Sequence, residues 1–311
     1  MQTTPWRVFQ KKMLSPFEGI VNANARRFSG VVAGRRFPEA VKLIYNLRIV
    51  RFVSHGQRSE GICVSLTATF FFGLPIVRPL RPVPTAEMLL AEMDRAGIER
   101  SLVWHIAQHD ASPQLGNRLL ADAIRPHDRL VGCWTVLPNH AHEFPPPAEL
   151  FDQMRQQRIA ALRIFPTAHR FQANAVSLGD LLEAMVARRV PLFLSMRRGA
   201  NWAVAYALLA EFPQLVCVIC DHGCWGEDRS FRPLLSRYPN VYVDTAQYLL
   251  DGGIEALVAD YGPGRLLFGS GFPESYHGGM MLALRHARIG EEARQAIAAG
   301  NLERILAEVI L

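Results

Sequence analysis

The sequence predicts a (β/α)8 TIM barrel, an α/β fold, over residues 62–311, and three observations carry that expectation. From residue 62 onward, short runs rich in β-branched and aromatic residues alternate with amphipathic helical stretches, the pattern of parallel βαβ units. Eight such pairs fit into roughly 250 residues, the usual size of this barrel. Glycine and proline punctuate the pairs, at Gly73, Gly97, Pro138 and Pro166. A doubly wound sheet is the competing fold, but no Gly-rich phosphate fingerprint follows the first run.

The elements read in order. The first strand covers residues 62–72 and is closed by Gly73; a helix over 85–96 has Thr85 as its N-cap and Gly97 as its stop. Strand two covers 101–106 and precedes a helix over 113–124. Strand three, 130–137, ends at Pro138, and a Pro-rich loop leads to a helix over 148–157. Strand four, 160–165, ends at Pro166 and precedes a helix over 178–188. Strand five, 190–195, precedes a helix over 202–211; strand six, 215–220, precedes a shorter one over 231–237. Strand seven, 241–244, precedes a helix over 253–260. Strand eight is 265–269, and helical sequence fills 280–311.

Half of the 311 residues are hydrophobic and a fifth are charged, the balance of a globular chain with a sizeable core. The net charge of +6 is unevenly spread: residues 1–60 carry +8 and the rest −2. The barrel is therefore near neutral, and no nucleic-acid partner is expected for it. The longest apolar runs, 66–77 and 190–196, are too short or too broken to span a bilayer, so no membrane partner is expected. The five cysteines, Cys63, Cys133, Cys217, Cys220 and Cys224, form no disulfide framework. Together with the lack of a secretory signal pattern, they imply a reducing, cytoplasmic setting.

Residues 1–61 read as a basic N-terminal extension, partly disordered or wrapping the barrel. An Arg-rich targeting segment and translated sequence upstream of the true start are the competing readings.

Chemistry in such barrels collects at the C-terminal strand ends. There the sequence offers Thr67, Thr69 and Phe71 on strand one, and Trp104 and His105 on strand two with His109 and Asp110 in the loop beyond. Trp134 follows on strand three, Arg163 and His169 on strand four, and Ser195 and Arg197 on strand five. The later strands supply Asp221, His222 and Trp225, then Asp244 and Gln247, then Ser270 and Glu274. Arg163 would aim a guanidinium fork at the barrel centre and suit a carboxylate. The spacing His140-x-His142 suits a metal, but it lies beside a Pro-rich stretch and reads as a solvated loop. Cys217, Cys220, His222 and Cys224 also have metal-like spacing, yet Cys217 and Cys220 fall on opposite faces of a strand and read as buried thiols.

Five phrases in register carry a family resemblance. They are Leu89 to Ile98 (LLAEMDRAGI), Ala161 to Pro166 (ALRIFP), Cys220 to Gly223 (CDHG), Tyr238 to Asp244 (YPNVYVD) and Leu267 to Pro273 (LFGSGFP). Over residues 62–311 the chain resembles the amidohydrolase-related group of the metal-dependent hydrolase superfamily, which includes the aminocarboxymuconate-semialdehyde decarboxylase-like enzymes. The resemblance implies a metal site with a His-x-His pair on strand one, a His on strand five, often a His on strand six, and an Asp after the strand-eight Gly-Ser. Here those positions hold Thr69 and Phe71, then Ser195 or Met196, and Gly271; only His222 remains. An alternative first strand at 19–25 would place Asn24 and Arg26 there instead. No ordinary metal centre is expected; a Zn2+ ion held by other residues is the alternative.

The resemblance implies a hydrolase or decarboxylase by descent, acting on a small carboxylate- or amide-bearing substrate. The expected catalytic residues are His222, Asp221 and His105, with Asp221 and His222 as a general base pair and His105 converging on His222 across the mouth. The expected binding residues are Arg163, His169, Trp134, Trp225, Arg197 and Glu274. A non-catalytic barrel that binds a small molecule or a protein is the alternative, and a homodimer is left open.

Overall fold

The computed structural model describes residues 64–77 and 79–311. The readings of residues 1–61, and of Cys63, lie outside the described residues. Eight strands form one parallel sheet in the order β1 to β8. They are β1 Val64–Phe72, β2 Ile98–His105, β3 Leu130–Thr135, β4 Ile159–Arg163, β5 Leu192–Ser195, β6 Cys217–Cys220, β7 Val241–Asp244 and β8 Leu266–Leu267. The sheet curls into the predicted α/β barrel.

Helix ends follow from local chemistry. Thr85 Oγ1 accepts from the Met88 N–H at 3.3 Å, and Gly97 ends Ala86–Ala96 in the left-handed region, donating to the carbonyls of Asp94 and Met93. Ser112 caps Pro113–Ile124, which starts on a proline that needs no donor. Asn174 and Ser177 form a reciprocal capping box that starts Ala175–Arg188 three residues earlier than predicted. Asn201 caps Trp202–Glu211.

Alternation along the strands builds two apolar clusters. Val103, Leu162, Cys217 and Ile219 pack with the helix residues Leu89, Met93, Leu182 and Leu208. Leu102, Trp104, Ala161, Val218 and Cys220 face the barrel interior, with Phe71, Cys133, Phe165 and Phe193. Cys217 and Cys220 thus lie on opposite faces, as their spacing predicts.

The C-terminal segment departs from one continuous helix. His277–His286 and Glu291–Gln295 are followed by a π-helical turn, Ala296–Gly300, and then by Asn301–Ala307. The turn frees the Ile297 carbonyl, which accepts the Phe268 N–H at 3.0 Å, and Asn301 Nδ2 donates to the carbonyls of Pro263 and Leu266, both at 2.8 Å. Leu302 and Ile305 then join the interior cluster beside Val216 and Tyr242, which stand at the N-terminal ends of their strands. Among the described residues the floor of the barrel is filled, which leaves its C-terminal mouth as the interior opening. No described helix is long and apolar enough to cross a membrane.

Candidate functional site at the barrel mouth

The top interior layer mixes aromatic walls with charge. Arg163 ends β4 and is 3% exposed. Its guanidinium lies 4.5 Å from the Trp104 ring centre and 5.6 Å from that of Phe165. Its Nε has no hydrogen-bond partner among the described residues, and neither does the hydroxyl of Thr135, its register neighbour on β3. A second guanidinium, Arg198, lies 4.7 Å from the Phe71 ring centre and 5.4 Å from that of Trp104. Both cations therefore share one indole.

Three strand ends are tied by a polar chain. Ser195 Oγ donates to Asp221 Oδ2 at 2.8 Å, and the Asp221 N–H donates to Asp244 Oδ1 at 3.2 Å. Above this layer lies a cavity of about 370 Å3, lined by Pro75, Ile76, Val77, His109, Asp110, Arg197, Arg198 and Glu274. These residues come from the loops after β1, β2, β5 and β8. Glu274 Oε1 accepts from Arg198 Nη2 at 2.6 Å, and its Oε2 lies 3.5 Å from Arg197 Nη1. Asp110 Oδ1 lies 2.6 Å from His109 Nδ1, while Oδ2 accepts the Ile76 N–H at 2.8 Å. That bond pins the loop after β1 over the mouth. The His109 ring meets Phe165 edge-on, with centroids 4.9 Å apart.

The expected site residues divide. Arg163 and Asp221 are in the mouth, and Arg197 and Glu274 are at its cavity. His169 stands beside Phe165, its ring 6.5 Å from that of His109; both its nitrogens lack partners, and burial lowers its pKa. His222 is turned away. Its ring packs at a tilt on Phe231 and Tyr248 of the sheet–helix layer, and Nε2 donates to the Asp244 carbonyl at 3.1 Å. Asp221 takes the Ser195 hydroxyl, so the expected Asp221–His222 pair is not assembled. His105 also faces the helices: its ring is edge-on to Phe72, Nδ1 accepts the Ala107 N–H at 3.1 Å, and burial lowers its pKa to about 4. The expected convergence of His105 with His222 is therefore corrected. Trp134 belongs to the sheet–helix cluster, and Trp225 is 88% exposed.

The His109–Asp110 pair, which the sequence offers in the loop beyond strand two without a role, and Arg198, which it does not single out, complete the mouth. Arg198 directly follows Arg197 in a turn, where no strand alternation separates them. His109 and Asp110 sit in a short helical turn, Ala107–Asp110. His140 and His142 are exposed on a 3-10 turn and its C-cap, beside an outer groove of about 540 Å3. Among the described residues, no group of three or more His, Cys, Asp or Glu side chains is disposed to hold a metal ion.

Fold and mouth together define a barrel protein of the TIM class, with a small chamber at the C-terminal strand ends. The sequence profile of the amidohydrolase family matches residues 75–307, and the chain belongs to that family. Solved structures similar to it include an uncharacterized TIM-barrel protein from Bordetella bronchiseptica, at 21% identity, covering 72% of this chain and 83% of that one, with a TM-score of 0.58. The 2,6-dihydroxybenzoate decarboxylase from Rhizobium is similar at 16% identity, covering 78% and 98%, with a TM-score of 0.60. The 5-carboxyvanillate decarboxylase from Sphingomonas paucimobilis is similar at 15% identity, covering 79% and 99%, with a TM-score of 0.57. No curated protein sequence matches the chain.

Proposed function

We propose that this barrel is a hydrolase or lyase acting on a small carboxylate- or amide-bearing molecule, without the family's usual metal centre. The observation that carries this reading is Arg163: a guanidinium only 3% exposed, 4.5 Å from the Trp104 ring centre, with Nε unpartnered among the described residues. A buried N–H without an acceptor is costly, and a ligand carboxylate would relieve that cost with a charge-assisted bond. The indole 4.5 Å away helps hold the guanidinium in place before a ligand arrives.

The donors at the family's metal positions do not fit an ion. Ser195 is engaged with Asp221, Gly271 has no side chain, Phe71 packs on Trp104, and His222 faces the helices. No step is therefore routed through a metal. Proton handling falls to His109, the imidazole that lines the cavity, with Asp110 on its Nδ1. That bond orients the ring and leaves Nε2 to take or give a proton at the bond being broken.

The described cysteines, Cys133, Cys217, Cys220 and Cys224, are free thiols, which supports a reducing, cytoplasmic setting. The turned-away His222 favours a second reading, a barrel that binds without converting. Incubation with a panel of aryl carboxylates and amides separates the two, followed by thermal unfolding and product detection. Stabilisation with product supports the enzyme, stabilisation without product supports the binder, and no response in either assay contradicts both.

A further inference from the structure

Resting on the reading of Arg163 as a carboxylate anchor, we propose that Glu274 sets the charge selectivity of the mouth, admitting monocarboxylates and rejecting dicarboxylates. Arg163 and Arg198 lie against the same indole, Trp104, Arg198 at the cavity wall and Arg163 buried behind it. Their states differ. Arg163 has a buried Nε without a partner among the described residues, whereas Arg198 is already neutralised by Glu274 at 2.6 Å. The other oxygen of Glu274 lies 3.5 Å from Arg197, so one carboxylate spans both rim arginines.

The remaining charge in the cavity does not favour a second anion. Asp110 is committed to the Ile76 N–H and to His109. A single ligand carboxylate satisfies Arg163. A second one enters a chamber that already holds Asp110 and Glu274, and both rim arginines there already face Glu274, Arg198 at 2.6 Å and Arg197 at 3.5 Å. At this partly open rim that like-charge encounter still acts against the wrong ligand. Arg198 has 14% of its side chain exposed and is held by Phe71 and Trp104, so its position does not depend on Glu274 alone. Removing the Glu274 charge would then leave a fixed guanidinium ready for a second carboxylate.

The test is titration calorimetry with benzoate and isophthalate on wild type, Glu274→Gln and Glu274→Asp. Wild type should prefer benzoate by about fivefold or more, and Glu274→Gln should bind isophthalate about tenfold more tightly while benzoate moves less than about twofold. Glu274→Asp keeps the charge and should keep the wild-type preference. Glu274→Thr, a second uncharged variant, must show the same shift as Glu274→Gln. A ratio unchanged across the variants, or a wild type that prefers isophthalate, overturns the role of Glu274 alone. Binding of neither probe to any of the proteins overturns it together with the carboxylate reading of Arg163.

Discussion

The guanidinium of Arg163 lies 4.5 Å from the Trp104 ring centre, with its Nε unpartnered at the heart of the barrel mouth. Carboxylate binding should therefore depend on Arg163 more than folding does. Arg163→Gln should weaken benzoate binding about tenfold or more, equivalent to about 1.4 kcal/mol, as read by calorimetry. Its thermal midpoint should stay near that of wild type, because the substitution also removes a buried charge.

Trp104 supports both guanidiniums and also fills the interior cluster. Trp104→Ala should cost about 3–5 kcal/mol in chemical denaturation. Trp104→Phe should cost much less and still weaken benzoate binding. A phenylalanine variant with unchanged affinity would show that the indole only fills space.

A buried amide pair ties the helix Pro113–Ile124 to the end of β3. Asn117 Oδ1 accepts from Gln108 Nε2 at 2.7 Å and from the Thr135 N–H at 3.0 Å, and its Nδ2 donates to the Thr135 carbonyl at 2.8 Å. Asn117→Leu leaves several buried groups without partners and should destabilise the fold by about 2–4 kcal/mol. Urea unfolding checks this, and a loss below about 1 kcal/mol would mean that water replaces the amide.

His105 and His277 each have a pKa lowered to about 4 by burial, and burial lowers that of His222 as well. An unfolded chain binds protons on the His105 and His277 rings from near pH 6.5 downward, while the folded chain does not until near pH 4. The unfolded state therefore holds more protons across that window, and stability falls as pH falls through it. His277 is stacked on Phe272 with centroids 4.1 Å apart and has Arg95 and Glu92 as its charged neighbours. His277→Phe should make the midpoint fall less steeply between pH 7 and 4.5 in calorimetric scans.

Much of the fold was legible because it rests on local chemistry. The helices Pro113–Ile124 and Trp202–Glu211 and the strand Val241–Asp244 have the bounds that the pattern predicts. Strand eight does not: its described pairing with β7 covers Leu266–Leu267, and the Phe268 N–H goes to Ile297, a distant partner that local pattern cannot reveal. The site was harder to read. Simple alternation from Cys220 puts His222 inside the barrel, but Asp221 has a φ of 54°, and that left-handed residue is where the alternation fails. Trp134 and His105 were readable, since they alternate with the interior residues Cys133 and Trp104. Arg198 was not, because its position is set by the turn after β5 and by Glu274 on another loop.

The most direct measurement is a crystal structure of the protein grown with saturating benzoate. A carboxylate oxygen is expected within about 3.2 Å of Arg163 Nε, with the ring between Trp104 and the loop that carries His109. A mouth empty of benzoate, with that nitrogen bonded to a protein group, would contradict it, as would a metal ion held at the strand ends by several protein side chains.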